Sequence, residues 1–568
     1  MDGERLHRSA RWIARGTSAA LVPLLSLTFA TCGGGQTTQP PPPPGAQFIV
    51  EAVPLTPLMT PGSSFSTTII AIPLIGGSWN GVIAVTMSGL PSGLTANPQS
   101  FSVDTTKGNG NVPVTFSAAV SLSTGVYPFT VTGTSGSISY SITMAVGVVE
   151  PPPQATPLPA KVLYSFSGQQ DGGGPGGALV SDSAGNLYGT TDQGGAYGPG
   201  TVFELSFSNG AWQETVLHSF GNGTDGAGPL GSLVFDASGN LYGATRLGGT
   251  GACSEGCGTV YELTPLGSGW QETVLHNFTG GADGFNPAAG VVLDNAGNLY
   301  GTTEYGGAVL GNAYCSTVGC GTVFTLKTSG NGWAYSVIHS FQGPPDGNDP
   351  GGGGGGGLIF DQQGNLYGTT YSGGNVNCPE GNPYSGGGGC GIVFEMTSSG
   401  SAWQETVLHS FQATYDGLRP SGLVLDSGGN LFGTTYGGFS DPLCNNDDSC
   451  GNFFELTPTG NGWALNELYY FWGSNLGYQP SGLVRDQAGN FYGVASGGPP
   501  GCDFNLGCGT VFQLSKTGQG WVESANYEFP GGAAGWWPRS VTLSGGNLYG
   551  TTVQGGGSNY GVIFEISP

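Results

Sequence analysis

Basic residues are scarce in this 568-residue chain. It has 12 Lys and Arg against 36 Asp and Glu, which gives a formal net charge of −24. Sequence-independent binding of nucleic acid requires a basic surface, so nucleic acid is excluded as a partner. Charged residues make up only 8% of the chain, but 38% of it is hydrophobic and 11% aromatic. This apolar content predicts folded domains, despite the 110 Gly and 38 Pro.

Long apolar runs are also missing. After residue 31 no segment has 18 continuous apolar residues, so no membrane-spanning helix is predicted there. The first 31 residues carry four arginines and then a short apolar stretch that ends before Cys32. They resemble a bacterial lipoprotein signal, in which Cys32 becomes the lipidated first residue. An ordinary secretory signal is the alternative, because Thr31 departs from the small residue that usually precedes the Cys.

Both interpretations of the N-terminus predict export. A lipidated chain would be a lipoprotein of the outer membrane or cell surface, and an unlipidated one would be periplasmic or secreted. Its contact with a membrane would then be through the lipid anchor alone. We expect the protein to be a monomer.

Motifs of the common enzyme classes are absent as well. The sequence has no Gly-x-Ser-x-Gly elbow, no His-Glu-x-x-His and no Walker loop. The seven glycines at 351–357 are not followed by Lys and Ser or Thr, so they do not form a phosphate-binding loop. We therefore predict no catalytic residue, no metal ligand and no bound cofactor from motifs.

Two proline-rich linkers, at 32–46 and 150–160, divide the remaining chain. The segment between them, 47–149, has short runs that alternate apolar and polar residues, which is typical of strands in an antiparallel β-sandwich. Its runs Gly89–Pro98 and Gly125–Gly133 resemble bacterial immunoglobulin-like surface domains. This domain has no Cys pair, and we expect it to act as a spacer, with binding of a glycan or a protein as the alternative.

Residues 161–568 contain seven copies of one unit. Each copy includes Gly-Asn-Leu/Phe-Tyr/Phe-Gly, and its pattern predicts four short strands, a to d, with the motif at strand b. Four antiparallel strands repeated seven times predict an all-β, seven-bladed β-propeller. The Asn of the motif occupies positions 186, 240, 298, 365, 430, 490 and 547.

The two ends of this region suggest how the propeller closes. It begins with Lys161–Phe166, which has the pattern of strand d, and ends with Gly561–Ser567, which has the pattern of strand c. The first strand is therefore predicted to complete the last blade and to leave no edge exposed. A longer, solenoid-like stack is the alternative.

The repeat carries a family resemblance. The segment Pro420–Thr435 and the strand sequence Gly-Thr-Val-Phe-Glu-Leu, as at Gly200–Leu205, resemble the GloVer-type tandem repeat of exported bacterial proteins. The first half of each unit is also similar to blades of NHL and streptogramin-lyase-like propellers. The resemblance implies export and surface anchoring, and it implies no particular activity.

Ten cysteines follow Cys32, two in each of units 2 to 6, always in the loop between strands b and c. These loops are longer than their counterparts in units 1 and 7, so a disulfide would close the loops with the largest entropy. Metal binding by paired thiolates is the alternative, but a structural site would need four ligands. The predicted disulfides are Cys253–Cys257, Cys315–Cys320, Cys378–Cys390, Cys444–Cys450 and Cys502–Cys508.

Several repeated polar residues are predicted to be structural. The His of strand d (218, 276, 339 and 409) and its Trp recur at one position and indicate packing. The Asp of Asp-x-x-Gly-Asn begins the tight a–b turn. A second repeated acid, in Asp-Gly of the d–a loop, lies with the b–c loops on one face, together with aromatic residues. The alternative is that Asp-Gly only makes a turn. The candidate binding residues are Asp171, Asp225, Asp283, Asp346, Asp416, Tyr305, Tyr371, Tyr436, Trp536 and Trp537.

Two functional hypotheses follow. In the first, the propeller is a non-catalytic scaffold that binds a glycan, a peptide or a partner protein on the face of the b–c and d–a loops. The loop carboxylates could also hold Ca²⁺, and they would repel anionic polymers. In the alternative, the protein is a secreted lyase or hydrolase that acts on polysaccharide through these carboxylates.

Overall fold

The computed structural model describes residues 48–148 and 156–568 apart from short segments. These segments are 54–57, 60–61, 63, 74–81, 105–109, 124, 137, 268, 309–314, 316–317, 331, 352–356, 376–377, 379–387, 401, 413–415, 438–450, 461, 472–478, 498–506 and 519. The predicted signal and Cys32 lie outside the described residues. The chain divides into two compact units, Met1–Pro151 and Pro152–Pro568. In the part of the chain that is described, no helix has the length and apolar character needed to cross a membrane.

The first unit contains two β-sheets. One has the strand order β1-β3-β7-β5, and the other has the order β2-β9-β8-β4-β6. All pairs are antiparallel except β2 with β9. The strands are β1 (Phe48–Val53), β2 (Leu58–Met59), β3 (Ser64–Pro73), β4 (Val82–Ser88), β5 (Leu94–Asn97), β6 (Ser100–Asp104), β7 (Gly110–Ala118), β8 (Gly125–Ser135) and β9 (Ile138–Val148).

Alternating side chains give the first unit its core. In β4 the buried residues Ile83, Val85 and Met87 alternate with more exposed neighbours. They share one hydrophobic cluster with residues of the other sheet, such as Val114 and Phe116. Two sheets that enclose one core form the predicted sandwich arrangement.

The second unit consists of seven sheets among its described residues, and each corresponds to one sequence unit. The ladders are antiparallel in the order a-b-c-d, except that β10 pairs in parallel with β37. Two strands come first along the chain, β10 (Thr156–Pro157), which joins sheet 6, and β11 (Ala160–Ser165), which joins sheet 7. Sheets 1 to 4 are formed by β12 (Gly173–Pro175), β13 (Val180–Ser181), β14 (Leu187–Gln193), β15 (Thr201–Ser208) and β16 (Ala211–Ser219) in sheet 1; β17 (Val234–Phe235), β18 (Leu241–Thr245), β19 (Thr259–Leu266) and β20 (Gly269–Asn277) in sheet 2; β21 (Val291–Leu293), β22 (Leu299–Thr303), β23 (Thr322–Ser329) and β24 (Gly332–Ser340) in sheet 3; and β25 (Gly347–Pro350), β26 (Ile359–Phe360), β27 (Leu366–Gly373), β28 (Ile392–Ser399) and β29 (Ala402–Ser410) in sheet 4. Sheets 5 to 7 are formed by β30 (Leu418–Leu425), β31 (Leu431–Gly437), β32 (Asn452–Thr459) and β33 (Gly462–Tyr470) in sheet 5; β34 (Pro480–Arg485), β35 (Phe491–Ala495), β36 (Thr510–Thr517) and β37 (Gly520–Glu528) in sheet 6; and β38 (Trp536–Ser544), β39 (Asn547–Gln554) and β40 (Val562–Ile566) in sheet 7, where a short 3-10 helix, Gly532–Ala534, precedes β38.

The repeated Asp of the a–b turn has the predicted structural role. Asp182 Oδ1 accepts backbone N–H groups of Ala184 and Asn186, each at 2.9 Å, and its Oδ2 accepts the Asn186 amide and the Tyr188 hydroxyl. Burial would raise the pKa of Asp182, but these hydrogen bonds outweigh it and lower the pKa. Asp236, Asp294 and Asp486 show the same direction of pKa shift.

Sheets 1 to 6 each contact a neighbouring sheet through the Trp of their strand d, which packs on an aromatic residue in strand b of that neighbour. Trp270 of sheet 2, for example, meets Tyr188 of sheet 1 edge to face, with ring centroids 6.5 Å apart. The same contact, at 6.5 Å, joins Trp212 of sheet 1 to Tyr549 of sheet 7. Equivalent pairs are Trp333–Tyr242, Trp403–Tyr300, Trp463–Tyr367 and Trp521–Phe432.

The first strand of the unit completes the last sheet, as the sequence predicts. Strand β11 pairs antiparallel with β40, from Ala160 opposite Ile566 to Ser165 opposite Val562. Phe166 and Ile563 share a hydrophobic cluster with Leu179 and Leu187 of sheet 1, so sheets 7 and 1 are in contact.

This terminal strand begins earlier than the predicted linker boundary. Thr156 and Pro157 pair with β37, and Leu158 is only 7% exposed in a cluster with Tyr492. Leu158 lies six residues before Tyr164, as Trp212 lies six before His218, so it occupies the Trp position of strand d. The segment 156–160 therefore belongs to the second unit, because its Leu fills the gap that a Trp fills elsewhere.

Candidate functional site

One position in the second unit has an unusual backbone in all seven sheets. It is the residue before the Pro at the start of strand a, and its φ lies between 55° and 66° in every copy. Among the described residues only seven that are not glycine have positive φ, and five of these occupy this position. Side chains there are strained relative to glycine. The seven pre-proline residues are Gly174, Gly228, Asn286, Asp349, Arg419, Gln479 and Trp537.

The end of strand b supplies a second set beside the first. Backbone N–H groups of Arg246, Glu304 and Ser496 donate to the carbonyls of Gly228, Asn286 and Gln479 of their own sheets. These residues also differ from sheet to sheet, whereas the Thr or Ala before them hardly changes. They are Asp192, Arg246, Glu304, Tyr371, Tyr436, Ser496 and Val553. We call the two sets, together with Arg539 in β38, the strand-end cluster.

Sheets 1 to 4 contribute carboxyl groups and one guanidinium to this cluster. The Asn286 amide donates to a Glu304 carboxylate oxygen. Burial raises the pKa of Glu304, the charge of Asp349 raises it further, and Arg246 opposes the shift. Burial also raises the pKa of Asp349, so these two carboxyl groups favour holding a proton at higher pH than free ones.

Sheets 4, 5 and 7 contribute aromatic rings and two arginines. The Arg419 guanidinium lies 4.7 Å from the ring centre of Tyr371 and 5.7 Å from that of Tyr436. The Arg539 guanidinium lies 5.4 Å from the Trp537 ring, and Trp537 is 39% exposed. These distances are within the range of cation–π interactions.

Electrostatic contacts connect the two sides of the cluster. Burial raises the pKa of Asp192, and the charges of Arg246 and Arg539 oppose that shift. Burial lowers the pKa of Arg539, while Tyr436 and Asp192 raise it. Residues from sheets 1, 2, 5 and 7 are therefore near one another although they are up to 347 positions apart in sequence.

Several buried polar atoms of the cluster have no hydrogen-bond partner. They are Asp192 Oδ1, Arg246 Nε, Asn286 Oδ1 and Asp349 Oδ1. Buried polar groups in folded proteins are normally satisfied, so a group of unsatisfied ones indicates a place where water or a ligand binds. The cluster combines such atoms with aromatic faces, which together suit a polar ligand with an apolar side.

The disulfides adjoin the pre-proline residues. The second Cys of a b–c loop accepts, through its backbone carbonyl, the N–H of the pre-proline residue of the next sheet. The distances are 3.0 Å from Asn286 to Cys257, 3.0 Å from Asp349 to Cys320, 2.8 Å from Arg419 to Cys390 and 2.9 Å from Trp537 to Cys508.

Sheets whose b–c loop lacks a disulfide are followed by glycine at this position. Gly228 donates to the carbonyl of Pro199 at 2.8 Å, and Gly174 donates to that of Tyr560 at 2.9 Å. A side chain is thus held in the strained conformation where a disulfide fixes the accepting loop, and glycine adopts it where none does. Gln479 would follow Cys450, which lies outside the described residues.

Three of the five predicted disulfides are present, namely Cys253–Cys257, Cys315–Cys320 and Cys378–Cys390. Cys508 is disulfide-bonded, and its predicted partner Cys502 lies outside the described residues. Cys444 and Cys450 also lie outside them. The contact of these loops with the next sheet does not follow from loop length.

The Asp-Gly residues of the d–a loops make local contacts. Each accepts the backbone N–H of the residue four positions before it, as Asp225 accepts that of Gly221 at 3.1 Å. The same contact is made by Asp171, Asp283, Asp346 and Asp416. The predicted alternative, that Asp-Gly makes a turn, therefore has direct support, and a binding role for these residues stays a prediction.

The repeated His residues pair with these Asp residues. The distances from Nε2 to Oδ2 are 3.1 Å for His218–Asp225, 3.4 Å for His276–Asp283, 3.3 Å for His339–Asp346 and 2.9 Å for His409–Asp416. Each His ring also packs edge to face on the Phe two residues later. These contacts agree with the structural role that the repetition predicts.

One of these pairs is joined by a carboxyl group from the next strand d. Ligand atoms of His339, Asp346 and Glu405 lie within 4.8 Å of one another, and they form the one such group in the described part of the chain. Burial and the charge of Asp346 raise the pKa of Glu405 to about 7. A mixed set of imidazole and carboxylates suits transition metals better than Ca²⁺. The Ca²⁺ expectation stays a prediction.

The sequence found part of the strand-end cluster. Tyr371, Tyr436 and Trp537 were candidates as aromatic residues of the loop face, and Tyr305 and Trp536 flank it. Arg539 stands out in the sequence as a residue that breaks the repeat in unit 7. The other charged members, Asp192, Arg246, Glu304, Asp349 and Arg419, were missed because they differ between units and form no motif. An alignment of the seven units at the Pro of strand a would have shown them, because the residue before this Pro changes from unit to unit while its neighbours repeat.

The second unit is thus defined as an all-β repeat structure with a non-repeating polar cluster. Similar solved structures include a quinonprotein alcohol dehydrogenase-like protein from Bacteroides thetaiotaomicron (9% identity, TM-score 0.32, covering 84% of this chain and 96% of that one). Others are a glycoside hydrolase family 32 protein from Bifidobacterium adolescentis (13%, 0.30, 89% and 81%) and a xylan beta-1,4-xylosidase from Bacillus halodurans (11%, 0.26, 78% and 92%). No curated protein matches the chain.

The model of the Gloeobacter/Verrucomicrobia repeat matches the chain three times, at residues 101–314, 250–438 and 381–568. The chain belongs to this repeat family. The first match begins within the first unit, before the seven sequence copies start.

Proposed function

We propose that this protein is an exported, lipid-anchored surface protein whose second unit is a closed seven-bladed β-propeller that binds saccharide at the strand-end cluster. The pairing of β11 with β40 and the contact of Trp212 with Tyr549 support closure, since both join the ends of the region. The first unit would be an immunoglobulin-like spacer. Its two sheets around one core support this assignment.

The observation that carries the binding function is the group of buried, unsatisfied polar atoms next to exposed aromatic surface. Saccharides present hydroxyl groups at their edges and C–H groups on their faces. Carboxylate, amide and guanidinium groups can bind the hydroxyls, while Trp537, Tyr371 and Tyr436 offer faces for stacking. The rigid sheets and disulfide-bonded loops would hold these groups in place and reduce the entropy lost on binding.

Glycan-array binding followed by calorimetry with the full chain tests this function. Trp537→Ala should weaken saccharide binding at least tenfold, because it removes the exposed stacking surface of the cluster. Phe207→Ala is the control, since Phe207 is 57% exposed at the c–d end of sheet 1. Absence of binding to any saccharide, or equal affinity of Trp537→Ala and wild type, would contradict the proposal.

The carboxyl pair favours a second candidate function, hydrolysis or lysis of polysaccharide. A carboxyl group whose pKa is raised by burial and a neighbouring charge can stay protonated and donate a proton, as general acids of glycosidases do. Glu304 would be that acid and Asp349 its partner. Product release from a bound polysaccharide, lost in Glu304→Gln while binding persists, would favour this function over binding alone.

A further inference from the structure

Arginine is concentrated at the strand-end cluster. After the N-terminal segment the chain has four arginines, Arg246, Arg419, Arg485 and Arg539, and three of them belong to the cluster. This placement is notable in a chain with a net charge of −24, because random placement would leave acidic residues dominant at any site.

Within the described ranges, the three arginines of the cluster have no carboxylate within ion-pair distance. The ion pairs found among the described residues all join a His to an Asp. Arg419 is only 9% exposed, and its contacts are with the faces of Tyr371 and Tyr436. Arg246 Nε is buried without any partner. A buried guanidinium that forms no ion pair is costly, and an anion that enters the site would reduce this cost.

The charge balance of the cluster also admits an anion. Arg246 and Arg539 lie near Asp192, Arg246 also lies near Glu304, and the electrostatic interaction of Glu304 with Asp349 disfavours two negative charges on that pair. One proton on the pair leaves two negative charges against three positive ones. The acidic surface elsewhere acts weakly at this site, because salt screens charges beyond about 8 Å at physiological ionic strength.

We infer that the saccharide bound at the strand-end cluster is anionic and carries a carboxylate, as a uronic acid unit does. This inference rests on the proposed saccharide-binding function. Arg419 and Arg539 would bind the carboxylate, since guanidinium groups match its geometry with two parallel hydrogen bonds. The neighbouring aromatic rings would stack on the sugar face. The inference departs from the sequence-based expectation that anionic polymers are repelled, because that expectation considered only the average charge.

The test compares oligouronates with their carboxyl-reduced, neutral counterparts on the full chain. The probes are trimers of galacturonate, glucuronate, mannuronate and guluronate, measured by calorimetry. At least one uronate should bind ten times more tightly than its neutral counterpart. Arg419→Met and Arg539→Met should each weaken uronate binding at least tenfold and change neutral binding little, and Arg419→Lys should recover part of the loss.

Arg485→Met is the matched control, because Arg485 is exposed at the a–b end of sheet 6 and lies over Phe491. It should leave uronate binding unchanged. Near-ultraviolet circular dichroism would show that each variant is folded, and Arg539→Met decides the test if Arg419→Met does not fold. Equal affinity for uronates and neutral trimers, or equal losses in all three variants, overturns the inference. Binding of neutral saccharide that depends on Trp537 would still leave the proposed function standing, whereas no saccharide binding would refute both.

Discussion

In the second unit, strand d with its following loop and the strand-end cluster differ in how they use the repeat. In strand d and its following loop, the same residues recur and the same contacts recur with them, such as the His–Asp pairs at 2.9 to 3.4 Å. At the ends of strands a and b, the backbone recurs but the side chains do not. Repeated residues build the scaffold, and the positions that vary on a constant backbone are where we propose that ligand specificity lies.

The largest loss of stability should come from a substitution at the contact between sheets 7 and 1. Phe166→Ala removes a fully buried ring from the contact between sheets 7 and 1, so it should lower the free energy of unfolding by about 3–5 kcal/mol. Chemical denaturation measures this loss. Val162→Ala, four residues earlier in β11 and 37% exposed, should cost less than about 1 kcal/mol. Equal losses in the two variants would contradict closure through β11.

The second effect concerns the disulfide next to Asp349. Replacing Cys315 and Cys320 by Ser should reduce the free energy of unfolding by about 2–3 kcal/mol, because the loop gains freedom in the unfolded chain. If the disulfide also holds Asp349 in its strained conformation, Asp349→Gly should stabilise the wild type more than the disulfide-free variant. A double-mutant cycle by denaturation measures this coupling. Additive effects would mean that the disulfide and the strained residue act independently.

The scaffold was predictable from sequence, and the cluster only in part. Four strands per unit and the offset ends follow from residues that recur, such as the Trp of strand d, and each copy supports the others. The cluster depends on a backbone conformation that the sequence does not reveal for residues like Arg419 and Trp537. It also depends on which sheets face one another, which brings Asp192 near Arg539. The Asp-Gly acids were found because they recur from unit to unit, and their binding role stays a prediction.

A smaller effect tests the strain at the pre-proline position by itself. Gly228 has φ 62°, and a Cβ there would meet no atom within 4 Å. Gly228→Ala should therefore cost about 1–2 kcal/mol through backbone strain alone. Gly269→Ala is the control, because a Cβ there is equally free of contacts and its φ lies outside the positive range. Thermal or urea denaturation in which both substitutions cost the same would show that the position carries no strain.

The smallest effect is the pH dependence that the carboxyl pair gives to stability. Burial raises the folded pKa of Glu304 and Asp349 above the unfolded values, so the folded state holds protons that the unfolded state releases. Their contribution is fully present below the unfolded pKa, near pH 4, and is lost as pH rises through the raised folded values. Burial and a nearby Asp raise the pKa of Glu214 and of Glu272 to about 7. These two residues therefore also make the protein less stable as pH rises.

The variant Glu304→Gln measures how much the strand-end cluster contributes to the pH dependence of stability. The variant stays neutral at every pH, so its stability should fall less than that of the wild type between pH 5.5 and 8.5, by a difference on the order of 1 kcal/mol. Urea denaturation at both pH values measures the difference. Glu255→Gln removes a carboxyl group from an exposed b–c loop and should keep the wild-type slope. Equal pH dependence of the free energy of unfolding in Glu304→Gln and Glu255→Gln would mean that the strand-end cluster contributes no more to proton binding than the exposed loops do. The contrast between cluster and scaffold would then have to rest on ligand binding alone.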